Sequence, residues 1–239
     1  AGLVAVATLG PRTTLAQKKP LPGAEETPAA EPLQQFTFPK VRDDHERLKA
    51  VIDYMEKKTV PWDVVCNTSQ SLLDAKSDSF FTPTDPKTGK DSTDRVSVKA
   101  KVSDLIATFP KEGRQFYELN YGPVAESLLK EAVAAGYDKA RLADVSQRYF
   151  HTRAGAQATA VLAGLDLETG NYPEAAYGFQ RLIARPEGDE FLTPRVLFKA
   201  AVALRRAGDE RQLELAAQLW DRLEKKFPRD GMTFGKRTY

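Results

Sequence analysis

The side chains with the widest chemical reach in this sequence are few and far apart. His45 and His151 are the two histidines, and Cys66 is the one cysteine. A metalloprotease-type helix needs two histidines one turn apart, as in H-E-x-x-H, and neither histidine has a second four residues on. One cysteine closes no internal disulfide and makes no cysteine-based zinc site. Glu25-Glu26 and Asp43-Asp44 are adjacent carboxylates. Such pairs do acid–base work only where burial and geometry pull their pKa values apart, and these fall in a linker and at a helix start. The segment Thr88-Gly89-Lys90-Asp91 lacks a phosphate-binding loop's other residues: Thr84 stands where glycine is needed and Asp91 where Ser or Thr is needed. Asp78, Asp85 and Asp91 do not follow the spacing of a calcium-binding EF-hand. His151, in RYFHTRAG, reads as a histidine near a helix C-terminus, where the dipole favours a cation. Cys66, beside Val64 and Val65, reads as a small packed or half-exposed thiol. An enzyme brings a nucleophile, an acid–base pair or a metal together in a pocket. This inventory predicts a non-catalytic protein with no cofactor, no metal and no catalytic residue.

Charge narrows the partners. Lys+Arg number 35 and Asp+Glu 33 in 239 residues, a net charge of +2. Nucleic-acid binders concentrate basic charge, so no nucleic-acid partner is expected. Arg222, Lys225, Lys226, Arg229, Lys236 and Arg237 form a local basic stretch that suits a solvated face and tail. Residues 1–9 are apolar, Gly10 and Pro11 break the run, and Thr14-Leu15-Ala16 resembles a small-residue cleavage site. The expectation is a remnant of a secretory signal peptide over 1–16, and hence an exported, periplasmic or cell-envelope protein. The apolar run is far short of the roughly 20 residues of a membrane span, and Gln17 stands where a lipid anchor requires cysteine. Residues 17–40, rich in Pro, Ala and Glu, predict an extended linker.

The elements that must position any site are helices. Leu48, Val51, Ile52 and Met55 fall on one helical face, with Asp43 or Asp44 as N-cap. Val65, Ser69, Leu72 and Leu73 mark a second helix after Pro61; Val98, Val102, Leu105 and Ile106 mark a third, ending near Phe109-Pro110. A fourth region spans 113–135, with Pro123 expected to interrupt it and Val124, Ala125, Leu128, Leu129, Ala132 and Val133 as a wide apolar face. Gly136 closes it, and Asp138 opens a helix carrying Leu142, Val145 and Tyr149. Two helix pairs follow, turning at Gly170 and Gly208. No alternation of period two is long enough for a sheet. The fold class is all-α, about nine helices stacked as a short solenoid over 41–228, followed by a tail or linker at 229–239. The loop at 76–92 is expected to be a surface loop packed by Phe80 and Phe81.

The pairs share a pattern. After Gly170 and Gly208 a small residue precedes an aromatic by four, as Ala175–Phe179 and Ala216–Trp220, and Pro186 and Pro228 close the units. This resembles the tetratricopeptide repeat, in which the small residue lets two helices approach and the aromatic packs into the next unit. The match is partial: Thr159 and Ala163 replace first-helix consensus residues, and about three extra residues separate Gly208 from Ala216. In that register the first helices line a concave groove holding Gln157, Ala160 and Gly164, then Arg195, Phe198, Val202, Arg205 and Arg206. Arginines beside an aromatic suit an acidic or C-terminal peptide; they equally suit a solvated helix face. The stretches 105–132 (LIATFPKEGRQFYELNYGPVAESLLKEA) and 142–158 (LADVSQRYFHTRAGAQA), with the repeat, resemble the helical N-terminal domain of exported planctomycete-type proteins that carry a PQQ-like β-propeller. The resemblance implies an interaction domain in front of propeller blades, and transfers no PQQ-binding residue to this chain. The expected function is a scaffold or protein–protein interaction module, possible as a homo- or hetero-oligomer. A structural subunit of a larger envelope assembly and an accessory domain of a propeller protein are the alternatives.

Overall fold

The computed structural model describes residues 42–83, 92–186 and 190–227, and the backbone of 233–234 and 237–238. The expected signal remnant, the linker and the segment Thr88–Asp91 lie outside the described residues. The fold is all-α. Its helices are α1 (Arg42–Met55), α2 (Trp62–Leu73), α3 (Val98–Ala107), α4 (Lys111–Ala134), α5 (Lys139–Arg148), α6 (Arg153–Glu168), α7 (Tyr172–Ile183), α8 (Pro194–Ala207) and α9 (Glu210–Lys226). Two minimal antiparallel ladders accompany them: β1 (Phe80–Phe81) with β2 (Val96–Ser97), and β3 (Thr233–Phe234) with β4 (Arg237–Thr238). The loop phenylalanines thus build a short ladder, and Phe81 also stacks on His45 with ring centres 4.8 Å apart.

Short polar side chains start most helices. Ser97, Asp138, Thr152, Thr193 and Asp209 each accept a hydrogen bond from the amide three residues on, satisfying a donor that has no partner within the helix. Asp43 and Asp44 lie inside the first turn of α1 instead of capping it, and Asp44 accepts from the Ser79 hydroxyl at 2.9 Å. At the other ends Gly136, Gly170 and Gly208 take φ of 77°, 82° and 88°. These left-handed positions end α4, α6 and α8 and reverse the chain into α5, α7 and α9. Gly136 therefore shares its turn conformation with Gly170 and Gly208.

Pro123 does not interrupt α4, which runs unbroken through it. Proline removes one donor, here the partner of the Leu119 carbonyl. Both Pro123 and Leu119 are exposed, so water can take the donor's place on that face. The apolar face of α4 is also narrower than expected: Ala125, Leu129 and Ala132 are buried, while Val124 is 47% exposed.

Packing follows chain order. Within the compact unit Phe38–Tyr239, α4 pairs with α5, α6 with α7 and α8 with α9, and α6 also touches both α4 and α8. α6 and α7 approach closely: a Cβ on Gly178 would stand 2.9 Å from that of Ala163. Ala175 and Phe179 are fully buried there. One core lies among α6–α9, a second among α4–α6, and a third among α1–α4. Trp62 seats the last on Gly113, where a Cβ would fall 2.5 Å from the indole.

Candidate functional site

The densest chemistry gathers where α5 gives way to α6. The chain is compressed there: a Cβ on Gly155 would sit 1.8 Å from the Tyr149 carbonyl oxygen, and the Thr152 hydroxyl is buried, donating to that carbonyl at 2.8 Å and accepting from the Gly155 amide. The tight turn turns His151 toward α3. Its Nε2 lies 2.9 Å from the Ser103 hydroxyl, and either atom can be the donor. His151 is therefore not a helix-terminal cation: α5 ends at Arg148, and the histidine belongs to the connection.

Arg181 of α7 and Arg185, two residues beyond its end, press on the same turn. Arg185 donates to the carbonyls of Phe150 and Thr152, each at 3.1 Å, and of His151 at 3.3 Å. Arg181 lies over the Phe150 ring, 4.0 Å from its centre, and donates to the Ser146 carbonyl at 3.3 Å. Tyr177 flanks it at 5.9 Å. Burial lowers the Arg181 pKa, with Tyr177 acting slightly the other way. Burial, then Arg185 and Arg181, push His151 down to about 3, against an upward pull from Ser103.

These groups line a cleft of about 710 Å³. Lys76, Lys99, Asp78 and Asp104 complete its charged wall, and a smaller hollow of about 330 Å³ meets it at Ala107, His151, Arg185 and Pro186. Asp78 is committed elsewhere: it accepts from the Ser79 amide, the Ser97 hydroxyl and the Lys99 amide at the start of α3.

A serine beside a histidine raises the question of acyl transfer. A general base works best when it titrates near the operating pH and is oriented by a third group. His151 is far from that pH, and its charged neighbours are the two arginines. The arrangement is a neutral donor–acceptor pair beside two cations, which suits binding. Cys66 is fully buried and its thiol is pushed up to about 12, first by burial and then by Asp63. Among the described residues no three His, Cys, Asp or Glu side chains are grouped to hold a metal, and no helix is long and apolar enough to cross a membrane.

The residues expected in the groove lie apart from this cleft. Gln157 on α6 and Arg195 and Arg205 on α8 are exposed. Arg206 is exposed with its guanidinium 5.9 Å from the Tyr172 ring. Phe198 is half-buried and meets Trp220 of α9 edge-on, centres 5.3 Å apart. Lys199 bridges to Glu168 of α6 at 2.9 Å and passes over Gly164, so α6 and α8 share that face. Sequence reasoning passed over Ser103, Arg181 and Arg185. The one available signal was two arginines a helical turn apart in QRLIAR (180–185); nothing local linked them to Ser103. No family model, curated protein or solved structure matches the chain.

Proposed function

We propose that the chain is a non-catalytic protein-binding module of tetratricopeptide type, which holds a segment of a partner along the face shared by α4, α6 and α8. The observation that carries this reading is the recurrence of one unit. Three left-handed glycines, Gly136, Gly170 and Gly208, each end the first helix of a pair. Their spacings of 34 and 38 residues equal and slightly exceed the roughly 34 residues of a tetratricopeptide repeat. Arrays of this kind bury each unit on its neighbours and leave an extended face for partners. On that face Gln157, Arg195, Arg205 and Arg206 offer hydrogen-bond donors, with Phe198 half-exposed beside them. Guanidinium groups pair bidentately with carboxylates, so the partner segment is acidic or ends in a free carboxylate. The similarity to exported propeller-bearing proteins supports a setting outside the cytoplasm.

The test is capture of partners from an envelope or secreted fraction on the immobilised chain, repeated with Arg205→Ala/Arg206→Ala. A stable heteromeric partner whose binding weakens at least about ten-fold in the double variant supports the groove. Unchanged capture removes it. A chain that only self-associates on light scattering replaces the adaptor reading with that of a structural subunit.

A further inference from the structure

We propose that the cleft between α3 and α7 binds an oxyanion, a carboxylate or phosphate group, with Arg181 as its principal ligand. The site is separate from the α4, α6 and α8 face and does not depend on the function proposed for it.

Arg181 leaves most of its donor fork unmet. A guanidinium has five N–H donors in a rigid fork. Here the fork meets one carbonyl at 3.3 Å and one hydroxyl at 3.5 Å, both of Ser146. No carboxylate among the described residues pairs with it. Of the two that line the cleft, Asp78 is spent on the start of α3, and Asp104 is exposed and makes no ion pair with Arg181. Taking a cation out of water without a countercharge is costly. The Phe150 ring recovers part of that cost from one side. Arg181 also lines the cleft, where an incoming anion would complete the fork.

The surroundings match that ligand in chemistry and size. Lys99 and Lys76 on the cleft wall add positive charge, and Lys99 is placed by donating to the Ala75 carbonyl. The Ser103 hydroxyl and His151 imidazole supply neutral hydrogen-bonding groups beside the cations. Arg185 fixes the wall by holding three successive carbonyls, those of Phe150, His151 and Thr152. A volume of about 710 Å³ lies within the usual range of small-molecule sites, roughly 300–1,000 Å³. Tyr177, 65% exposed, stands at the mouth and gives an organic anion a surface to lie on.

The test uses the two histidines as internal reporters. Imidazole resonances of the whole chain are followed by NMR during titration at constant ionic strength with inorganic phosphate, and separately with succinate. The expected result is a saturable shift of His151, with His45 unmoved, at a Kd of about 1 mM or tighter. Shifts with phosphate alone identify a phosphoryl ligand, with succinate alone a carboxylate, and with both the shared oxyanion chemistry. Arg181→Met keeps the packing on Phe150 and removes the charge; it weakens binding at least about ten-fold, while Arg211→Ala on the exposed face of α9 leaves it unchanged. The proposal is overturned if neither anion shifts His151, if His45 moves in parallel, or if Arg181→Met binds as the parent does. Should Arg181→Met fail to fold, Arg181→Lys decides. It keeps the charge and loses the fork, and the proposal requires it to bind several-fold more weakly.

Discussion

His151 carries a pH dependence whose direction is fixed by its surroundings. Its ordinary pKa is near 6.5, and in the folded chain burial and two arginines hold it at about 3. The unfolded chain therefore takes up a proton between these values that the folded chain refuses, and stability falls as pH falls through that window. Above about pH 7 the group is neutral in both states and contributes no slope. From pH 7 to pH 5 the loss from this group alone is about 2 kcal/mol. Thermal melts at the two pH values should show it, and His151→Gln should flatten the difference; an equal loss in the variant would mean the acid sensitivity lies elsewhere. Cys66 gives the opposite kind of prediction, a group that stays silent. Its thiol, buried and pushed up to about 12, holds almost no thiolate at pH 8. A disulfide reagent should label it only after denaturant is added, and rapid labelling of the native chain would show that the α1–α4 core opens readily. The sequence around Cys66 leaves packed and half-exposed both open, and the His151 property could not be read from the residues themselves. RYFHTRAG gives a helix-end histidine by local rules, and the groups that surround it, Ser103 and the arginines Arg181 and Arg185, come from 48 residues upstream and from 30 and 34 downstream.

At the scale of the element, local rules do better, because the information is local. The capping residues, the turn glycines and the apolar faces of α1, α2 and α3 are all written within a few positions of where they act. Pro123 is the instructive failure. Its local effect is real, but the length of helix on both sides and an exposed Leu119 absorb one lost hydrogen bond at small cost. Gly155 is the reverse case: the sequence marks it only as one more glycine, and the fold makes it irreplaceable. A methyl group there would strike the Tyr149 carbonyl oxygen at 1.8 Å, and backbone has no rotamer by which to yield. Gly155→Ala should cost at least about 1–3 kcal/mol, the usual range for overpacking, and should loosen the turn that presents His151. Denaturant unfolding measures the first effect and the His151 resonance the second. A variant as stable as the parent would mean that the α5–α6 turn can shift without penalty. Gly136, with open space beside it but φ of 77°, should tolerate Ala with a smaller loss, from backbone strain alone.

For the described unit as a whole, the question is what joins the first three helices to the stacked pairs. Their cores are distinct, and α2 touches α4 and α5 through a polar chain. The Tyr117 hydroxyl donates to Gln70 Oε1 at 2.5 Å. The Gln70 amide donates to Asp74 at 2.9 Å and to the Arg148 carbonyl at 3.3 Å, and Arg148 holds Asp74 at 2.7 Å and Asp144 at 2.8 Å. Tyr121, packed against both the α1–α4 and the α4–α6 cores, reinforces the joint and donates to Asn67 at 2.6 Å. Tyr117 and Gln70 are both buried, so loss of the hydroxyl would leave Gln70 Oε1 without its donor away from water. Tyr117→Phe should therefore cost about 1–3 kcal/mol while removing only one oxygen atom. Because the apolar contacts fall into three separate cores, the damage should be local: amides of α1–α3 should exchange faster with solvent while those of α7–α9 keep their protection. Hydrogen exchange resolved along the chain reads this directly. Uniformly faster exchange from α1 to α9 would show one cooperative unit, in which the polar joint is as deep in the fold's stability as the apolar cores are.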